Sequence, residues 1–337
     1  MYRAMVIEGG FGLDRLAIVE RNEADPKAFE VTLSMRAVSL NYRDVLMIRG
    51  QYNPRQPLPL VPLSDGVGEV VAVGERVTGL AKGDRVCPLF CQRYFAGEPT
   101  KEKIASTLGG PLDGVLREQM TLSAESVVKV PAGLDDAQAA TLPCAALTAW
   151  NALVEQGGLV PGQTVLVQGT GGVSTFALQI AKAMGARVIV TSSSEAKLER
   201  ARALGADHGI DYKKTPQWGK EALKLTDDRG VDLVVEVGGA GTLGESLKAV
   251  RPGGTIAVIG MLAGGASEVN VIPILMRNIR VQGVFVGHKE AMVRMLRAFD
   301  SWSLKPVVDR VFPWTEARAA LDHMVAGAHL GKVALGF

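Results

Sequence analysis

Residues 162–194 constrain the fold of this chain more than any other stretch, because they contain a glycine turn that follows a predicted strand and precedes a predicted helix. TVLVQ (164–168) is a short apolar run of the kind that forms a strand buried on both faces. Three glycines follow, then a helical pattern with apolar residues four apart, and then a second apolar run, RVIVT (187–191). This order of strand, glycine turn, helix and strand predicts a βαβ unit.

The glycine turn predicts a dinucleotide site. Gly169 and Gly171 match the first two places of G-x-G-x-x-G, whereas Ser174 holds the last. Such glycines let the backbone approach a pyrophosphate, and the following helix N-terminus supplies N–H groups. Glycine turns also join strands to helices for steric reasons alone, but the elements around this one favour cofactor binding. The expected contacts are Gly169, Thr170, Gly171, Gly172 and Val173.

The end of the second strand indicates which cofactor is bound. NAD sites usually place an acid about 20 residues after the first glycine, where it binds the ribose 2′-hydroxyl. Here that place holds Ser192, followed by Ser193, with Lys197 close behind. A carboxylate repels a 2′-phosphate, whereas hydroxyls and an ammonium bind one, so the sequence favours NADP(H) over NAD(H). The alternative is that Ser193 or Ser194 only caps the helix over 195–204.

Length and composition describe a globular protein of two domains. The chain has 337 residues, of which 47% are hydrophobic and 21% charged, and its net charge is +2. This balance gives no reason to expect nucleic acid or an anionic membrane as a partner. No apolar run has the length of a membrane span, and no signal-peptide pattern opens the chain. Three cysteines do not form a disulfide framework, so we expect a cytoplasmic protein. Its expected partner is a small molecule.

The chain changes character near residue 130. Before that point, short strands and turns predict a curled, mainly antiparallel β module with one helix over 41–50. Beyond it, strands alternate with helices, and six strands of this kind make a complete doubly wound parallel sheet. After residue 287 the first style returns, with a strand, a helix near 315–326 and a closing strand, KVALGF. The six strands are predicted at 164–168, 187–191, 208–212, 232–237, 255–260 and 279–286.

Five segments, taken in order, carry a family resemblance. They are NYRDVLMIRGQY (41–52), PLSDGVGEVVAVGERVTGLAKGDRV (62–86), LPCAALTAWNAL (142–153), VLVQGTGGVSTFALQIAKAMGARVI (165–189) and the terminal GKVAL. The chain resembles the medium-chain dehydrogenase/reductase superfamily, in particular its zinc-independent, quinone oxidoreductase-like branch. The resemblance implies an α/β fold in which a Rossmann NADP-binding domain (129–287) is inserted in a GroES-like, mainly antiparallel β catalytic domain (1–128 and 288–337).

The resemblance also bears on metal binding. Zinc-dependent relatives hold their catalytic metal with a cysteine, a histidine and a second cysteine, and the matching positions here are Asn41, Ser64 and Cys144. One thiol does not hold zinc. The relatives' structural zinc needs four closely spaced cysteines, whereas only Cys87 and Cys91 fall in that region. The sequence therefore predicts no metal.

The resemblance places Asn41, Tyr42 and Tyr52 near the nicotinamide and the substrate, with Asp44 in the same segment. An amide or a phenol can donate a hydrogen bond to the oxygen that gains charge as hydride adds, and a tyrosine can donate a proton. Tyr52 could equally be a surface aromatic residue, and Asp44 a brace for its helix. Other cofactor contacts that the resemblance implies are Thr148, Tyr212, Gly238, Gly260, Phe285, Val286 and Lys332, the last of these near the pyrophosphate.

These features predict zinc-independent, NADPH-dependent reduction of a quinone or an α,β-unsaturated carbonyl compound. A zinc-free NAD(P)-dependent alcohol or aldehyde dehydrogenase is the enzymatic alternative, and a non-catalytic NADPH-binding structural or sensor protein is the alternative of another class. The apolar strand over 279–287 would lie at the open edge of the sheet, which predicts a homodimer through that strand. The alternative is a monomer in which the segment 261–278 covers the edge.

Overall fold

The computed structural model describes residues 1–22, 24–266 and 268–337. Residue contacts divide the chain into two compact units, which we describe separately. Unit 1 comprises Met1–Ala145 and Gly287–Phe337, and unit 2 comprises Ala146–Val286. Unit 1 is built mainly on antiparallel strands and unit 2 on a parallel sheet, which confirms the predicted α/β fold.

Strands and helices are numbered along the whole chain. The strands are β1 (Tyr2–Ile7), β2 (Leu16–Arg21), β3 (Glu30–Ser39), β4 (Asp65–Val73), β5 (Arg85–Pro88), β6 (Gln119–Ser123), β7 (Val127–Lys129), β8 (Thr164–Gln168), β9 (Arg187–Ser192), β10 (His208–Asp211), β11 (Val231–Glu236), β12 (Val250–Val258), β13 (Arg280–Gly283), β14 (Val308–Pro313) and β15 (Lys332–Gly336). The α-helices are α1 (Tyr42–Ile48), α2 (Lys101–Ile104), α3 (Asp136–Ala139), α4 (Leu147–Trp150), α5 (Gly172–Ala183), α6 (Glu195–Ala203), α7 (Trp218–Lys224), α8 (Ala240–Ala249), α9 (Ile272–Met276), α10 (Lys289–Ser301) and α11 (Ala317–Val325).

The main sheet of unit 1 is organised around β3. Its strand order among the described residues is β14-β15-β3-β4-β5-β7, with β6 also paired to β3, while β1 and β2 form a separate antiparallel pair. Leu33 and Val38 of β3 pack in one core with Met47 of α1 and Leu335 of β15. The strand nearest the C-terminus therefore lies inside the sheet, directly beside β3.

Helix α1 forms because its two ends carry suitable residues. Asn41 is the N-cap residue, and its backbone N–H donates to Oδ2 of Asp44 at 2.8 Å, which is one half of a capping box. The helix ends before Gly50, which has a φ of 68° that glycine adopts without strain. The predicted helix over 41–50 is thus present, with Asn41 fixed just after the end of β3.

A tight backbone contact fixes the chain just before β4. Leu63 has a φ of 69°, which is unusual for a side chain branched at Cγ. A Cβ atom on Gly114 would lie 2.0 Å from the Leu63 carbonyl oxygen, so that position accepts only glycine. The N–H of Val115 donates to the same oxygen at 3.0 Å. This contact determines where Ser64 and Asp65 enter β4.

Unit 2 is a doubly wound sheet. Its strand order within the described residues is β10-β9-β8-β11-β12-β13, and all the pairs are parallel. The two central strands, β8 and β11, are buried along their whole length, as the predicted apolar runs require. Helix α5 ends before Gly185, which has a φ of 79°. No helix in the described residues is both long and apolar enough to cross a membrane.

The structure differs from the sequence predictions at several boundaries, among them β12, which runs from Val250 to Val258 rather than over 255–260. Residues 129–145 belong with unit 1 rather than with the following unit, because β7 pairs with β5 and α3 packs on β3 and β4. The last strand of unit 2 is shorter than the predicted 279–286, since β13 ends at Gly283. The predicted helix from Pro143 is a continuous helical segment, in which π-helical turns over Leu142–Ala146 and Asn151–Glu155 flank α4.

Candidate active site

The predicted cofactor residues of unit 2 meet at the carboxyl edge of its parallel sheet. The order of the strands reverses between β8 and β11, and doubly wound sheets bind their ligands outside that point. The predicted residues at this edge are Gly169 after β8, Ser192 at the end of β9, Tyr212 after β10, Gly238 after β11, Gly260 after β12 and Phe285 after β13.

The turn between β8 and α5 leaves room for a pyrophosphate. Gly169 has a φ of 72°, and a Cβ atom built on Gly171 would have no atom of the described residues within 4 Å. Helix α5 has 12 residues, so its N-terminal N–H groups and its dipole act on the turn. The Ser174 hydroxyl donates to the Gln168 carbonyl oxygen at 2.7 Å. The predicted glycine turn therefore fits a nicotinamide dinucleotide, with Ser174 closing the turn.

Ser193, rather than Ser192, presents an accessible hydroxyl at the end of β9. Ser192 is 3% exposed and is paired in register with Asp211 of β10, whereas Ser193 is half-buried. Asp211 was not expected here, and its carboxylate accepts a hydrogen bond from the backbone N–H of Lys213 at 3.0 Å. Ser194 is the N-cap residue of α6, although its side chain makes no capping hydrogen bond to the described residues.

A buried carboxylate holds the loop after β11. Glu236 is fully buried, and its Oε1 accepts hydrogen bonds from the backbone N–H groups of Gly238 at 2.8 Å and Gly239 at 2.9 Å. Its Oε2 accepts from Nε2 of Gln168 at 2.6 Å. The partners found for this carboxylate in the described chain are neutral, so dipoles rather than an ion pair stabilise its charge. The remaining donors are the hydroxyl groups of Thr242 and Ser246.

The backbone at the end of unit 2 is held by the helical segment around α4. The Val286 carbonyl oxygen accepts a hydrogen bond from Nδ2 of Asn151 at 2.7 Å. Val286 has a φ of 42°, which is strained for a β-branched residue. Thr148, on the same helix as Asn151, is 3% exposed. The backbone at Phe285 and Val286, which is predicted to flank the nicotinamide, is therefore fixed by a side chain of the same unit.

In unit 1, Asn41, Ser64 and Asp65 are joined by hydrogen bonds. Nδ2 of Asn41 donates to the Ser64 hydroxyl at 3.3 Å, and that hydroxyl donates to Oδ1 of Asp65 at 2.9 Å. Oδ2 of Asp65 accepts from the backbone N–H of Cys144 at 3.0 Å. Ser64 and Asp65 are fully buried, whereas Asn41 is half-buried. Asn41 is therefore the member of this cluster that presents an amide to an incoming molecule.

Lys332 places an ammonium group in the same cluster. Its Nζ donates to Oδ1 of Asn41 at 2.6 Å and to the Leu40 carbonyl oxygen, and the residue is 3% exposed. Burial lowers the pKa of Lys332, and the negative charge of Asp65 opposes that shift. Burial likewise raises the pKa of Asp65, and the Lys332 ammonium opposes it. The contact of Lys332 with the cofactor pyrophosphate stays a prediction.

Asp44 occupies the place that the alternative interpretation gave it. It is 1% exposed and braces the first turn of α1 through its hydrogen bond from Asn41. Burial raises its pKa to about 6, while the Arg43 guanidinium and the bond from Asn41 oppose the rise. A carboxylate this deeply buried holds Asn41 in place; its direct participation in catalysis stays a prediction.

The Asp44→Asn substitution is expected to change how stability depends on pH. The pKa of Asp44 is higher in the folded chain than the ordinary 3.8, so its contribution to stability is full below 3.8 and is lost as the pH rises through about 6. This shift corresponds to about 3 kcal/mol. Relative to the unmodified protein, the asparagine variant should gain up to that amount between pH 4 and pH 7. Urea unfolding across this range measures the difference, and a constant difference would contradict the assignment.

The two predicted tyrosines lie on the surface of unit 1. Tyr42 begins α1 and is 46% exposed, and Tyr52 is 45% exposed in the loop after Gly50. The Arg43 guanidinium lies 5.1 Å from the centre of the Tyr52 ring, and it also donates to the Leu108 carbonyl oxygen at 3.0 Å. Tyr52 is therefore a surface aromatic residue that is stacked on an anchored cation.

The residues at the three zinc positions do not fit a zinc ion. Asn41 and Ser64 are poor ligands, and the Lys332 ammonium already lies on the Asn41 amide oxygen. Burial and the charge of Asp65 raise the pKa of the Cys144 thiol, which disfavours the thiolate that zinc binds. Within the described chain, no group of three or more histidine, cysteine, aspartate or glutamate side chains could hold a metal.

Two family models match the chain. The alcohol dehydrogenase GroES-like domain matches residues 27–132, and the zinc-binding dehydrogenase domain matches residues 172–301. These matches cover much of unit 1 and most of the parallel sheet of unit 2, in the order that the sequence predicts.

Individual relatives match along nearly the whole chain. A zinc-type alcohol dehydrogenase-like protein of Schizosaccharomyces pombe is 45% identical over 91% of this chain and 90% of its own. Acryloyl-coenzyme A reductase of Metallosphaera sedula is 32% identical over 94% of this chain and 95% of its own. Among solved structures, an NAD-dependent alcohol dehydrogenase superposes with a TM-score of 0.91, at 34% identity and 99% coverage of both chains.

Proposed function

We propose a function from one premise: this chain belongs to the medium-chain dehydrogenase/reductase family and is an NAD(P)-dependent oxidoreductase. The proposed function is the reduction of a quinone or an α,β-unsaturated carbonyl compound with NADPH and without zinc. The observation that carries the proposal is the amide of Asn41, which stands at the first zinc position with its oxygen bonded to Lys332. A hydrogen-bond donor thus occupies the place where zinc-dependent relatives polarise a carbonyl with a metal.

The chemistry divides between the cofactor and the chain. The nicotinamide, when bound, supplies the hydride. Nδ2 of Asn41 carries two hydrogens, of which one is donated to Ser64. The second, for which the buried Asp65 carboxylate competes, can be donated to the substrate oxygen that becomes negatively charged, and such a donor stabilises the transition state. The exposed phenols of Tyr42 and Tyr52 are the proposed proton donors, since both reach solvent and can be reprotonated.

The comparisons support different substrates. The name of the Metallosphaera sedula relative specifies an acryloyl thioester, in which a double bond is conjugated to a carbonyl group. This supports conjugated carbonyl compounds as substrates here. The names of the Schizosaccharomyces pombe protein and of the solved NAD-dependent enzyme support the second candidate, oxidation of an alcohol. The donor set at Asn41, Ser64 and Cys144 favours the first candidate, because an alcohol without a metal needs a strong base to lose its proton.

A substrate panel tests the proposal. The purified protein should oxidise NADPH with quinones and enones and should show little alcohol oxidation with NADP⁺. Chelators should leave its activity intact, and elemental analysis should find no stoichiometric zinc. One tightly held zinc per chain, or alcohol oxidation faster than enone reduction, would overturn the proposal. The absence of turnover with every compound would instead favour a non-catalytic binding protein.

The end of β9 supports a preference for NADPH. Ser193 offers a partly exposed hydroxyl, and Lys197 follows on α6. The Asp211 carboxylate, which would repel a 2′-phosphate, accepts the Lys213 N–H and lies 3.7 Å from the Lys214 ammonium. Both contacts reduce its effective charge toward a ligand.

NADPH is expected to bind at least about tenfold more tightly than NADH, a difference of about 1.4 kcal/mol. Lys197→Ala should weaken NADPH binding and leave NADH binding unchanged, because only the 2′-phosphate needs the ammonium. Lys224→Ala, an exposed lysine on α7, serves as the matched control. Isothermal titration measures all six affinities, and equal affinity of the unmodified protein for the two cofactors would contradict the preference.

The edge of the parallel sheet supports a homodimer, which we propose as the functional assembly. β13 is the outermost strand and pairs only with β12 among the described residues. Val281 on this strand is 39% exposed, and Leu275 and Met276 of α9 are 77% and 73% exposed. The segment 261–278, apart from Ser267, which lies outside the described residues, thus adds exposed apolar side chains at the edge. A second copy, related by a twofold axis, would bury this surface.

Leu275→Asp is expected to convert the dimer to a monomer, because it places a charge in the proposed interface. Val160→Asp provides the control, since Val160 is 51% exposed in the same unit but far along the chain from β13. Light scattering at micromolar concentration distinguishes the two masses. A monomeric mass for the unmodified protein would reject the dimer.

The cysteines support the proposed cytoplasmic location. Cys87, Cys91 and Cys144 are free thiols, and burial raises the pKa of Cys91 to about 12. Unpaired thiols in this number are typical of a reducing compartment.

A further inference from the structure

Lys332 differs from an ordinary surface lysine in its burial and in its hydrogen bonds. It begins β15, an interior strand of the unit 1 sheet, and only 3% of it is exposed. A buried ammonium is costly unless acceptors surround it. Here the acceptors are the Leu40 carbonyl oxygen and Oδ1 of Asn41. The most deeply buried cation of the site is therefore bonded to the amide that the proposed function uses.

The ammonium determines which way the Asn41 amide faces. A lysine ammonium only donates hydrogen bonds, so the group that lies 2.6 Å from it must be the amide oxygen and not the amide nitrogen. With the oxygen held by Lys332, Nδ2 is directed to Ser64, to which it donates one hydrogen. A flipped amide would place two N–H groups against an ammonium. The contact thus removes the alternative orientation, in which a substrate carbonyl would meet an acceptor.

The same contact makes the amide a better donor. The Lys332 ammonium beside the Asn41 carbonyl oxygen draws electron density from the amide nitrogen. Linked hydrogen bonds also strengthen one another in a low-dielectric site. Asp65, at the other end of the chain of hydrogen bonds, supplies the opposite charge through Ser64. The order ammonium, amide, hydroxyl and carboxylate keeps each donor facing an acceptor.

We propose that Lys332 is a positioning residue for substrate reduction, which orients and polarises the Asn41 amide so that Nδ2, and not Oδ1, is available to the substrate carbonyl oxygen. This inference rests on the proposed function, because it gives Lys332 its role through the donor role of Asn41. The competing interpretation is that Lys332 serves the cofactor pyrophosphate directly. The two interpretations differ in which kinetic quantity the lysine controls.

Lys332→Met tests the inference, because methionine fills a similar volume without a charge or a donor. The expected result is a fall in kcat of about 10- to 100-fold at saturating cofactor, the range of a misplaced or weakened donor, with an unchanged NADPH Kd measured by fluorescence titration. Lys332→Gln retains a neutral donor for the Asn41 oxygen, so it should recover part of the loss. It also serves if the methionine variant fails to fold, as judged by circular dichroism.

A double-mutant cycle with Asn41→Leu separates the interpretations. If Lys332 acts through Asn41, Lys332→Met should cost little further activity once Asn41 is leucine. A weaker NADPH Kd with unchanged kcat, or fully additive losses in the cycle, would overturn the inference and assign the lysine to the cofactor. If Asn41→Leu itself leaves kcat unchanged, the proposed function fails first. If Asn41→Leu lowers kcat and Lys332→Met does not, only the inference fails.

Discussion

Asn41→Leu is expected to lower kcat for quinone or enone reduction about 100- to 1000-fold, the usual cost of removing a donor to a developing oxyanion. The reason is that leucine offers no N–H at the position where Nδ2 of Asn41 stands half-buried beside Ser64. The affinity for NADPH should change little, because the glycine turn and the end of β9 belong to unit 2. Steady-state kinetics at saturating NADPH, with cofactor titration alongside, measure both quantities.

Asn41→Asp makes the same test with almost no change of shape. The carboxylate would accept from Lys332 as the amide oxygen does, but it has no hydrogen to donate to a substrate. A loss as large as that of Asn41→Leu would identify the N–H as the essential group. Asn53→Leu, in the adjacent loop of unit 1, controls for general effects. If Asn41→Asp retained full activity, the donor role would be rejected.

Glu236→Leu is expected to destabilise the protein by about 4 kcal/mol, in the range found when one partner of a buried charged group is removed. Leucine would leave the N–H groups of Gly238 and Gly239 and the amide of Gln168 without their acceptor. Because Gly238 is a predicted cofactor contact, NADPH binding should also weaken. Urea unfolding measures the first effect and fluorescence titration the second.

Glu236→Gln separates charge from shape in this network. Glutamine retains one acceptor oxygen but presents an NH₂ group to donors. The unfolding free energy of this variant should therefore lie between those of the unmodified protein and the leucine variant. Glu199→Leu, on the exposed face of α6, is the matched control and should change stability little. An unfolding free energy for Glu236→Leu equal to that of the control would show that the buried carboxylate does not hold the loop.

The fold of unit 2 was predictable because each of its elements has its own local pattern. TVLVQ and DLVVEV are mostly apolar runs of strand length, which favours central strands. Gly185 and Gly205 mark the ends of helices α5 and α6, and both have positive φ angles. The predicted strand at 164–168 matches β8 residue for residue.

Helix α10 and the limits of the units were harder to predict. Helix α10 (Lys289–Ser301) buries Met292, Met295 and Phe299, which recur at helical spacing. Gly287 precedes its N-cap residue, but no glycine or proline directly follows Ser301. The boundary after Ala145 depends on contacts between distant segments, such as the pairing of β7 with β5. Long-range pairing of this kind leaves no local pattern in the sequence.

The site was predicted as a set of residues but not as a network. The residue types at 41, 64 and 144 predicted that no metal is bound. No local sequence pattern, however, predicted the contact between Lys332 and Asn41, which lie far apart in the sequence. Glu236 was visible as an acid at the end of a mostly apolar strand, and that signal could have identified it as a buried, hydrogen-bonded group. Tertiary contacts determined the rest.

The interior position of β15 has a consequence for how the chain is made. Unit 2 is one continuous stretch, so it can complete its sheet while residues 287–337 are still being synthesised. The sheet of unit 1 cannot be completed at that stage, because β15 pairs with β3 and carries Lys332, which binds Asn41, at its start. A nascent chain can therefore acquire a folded nucleotide-binding unit before it has an oriented amide. The cluster around Asn41 therefore forms only after β15 has been synthesised.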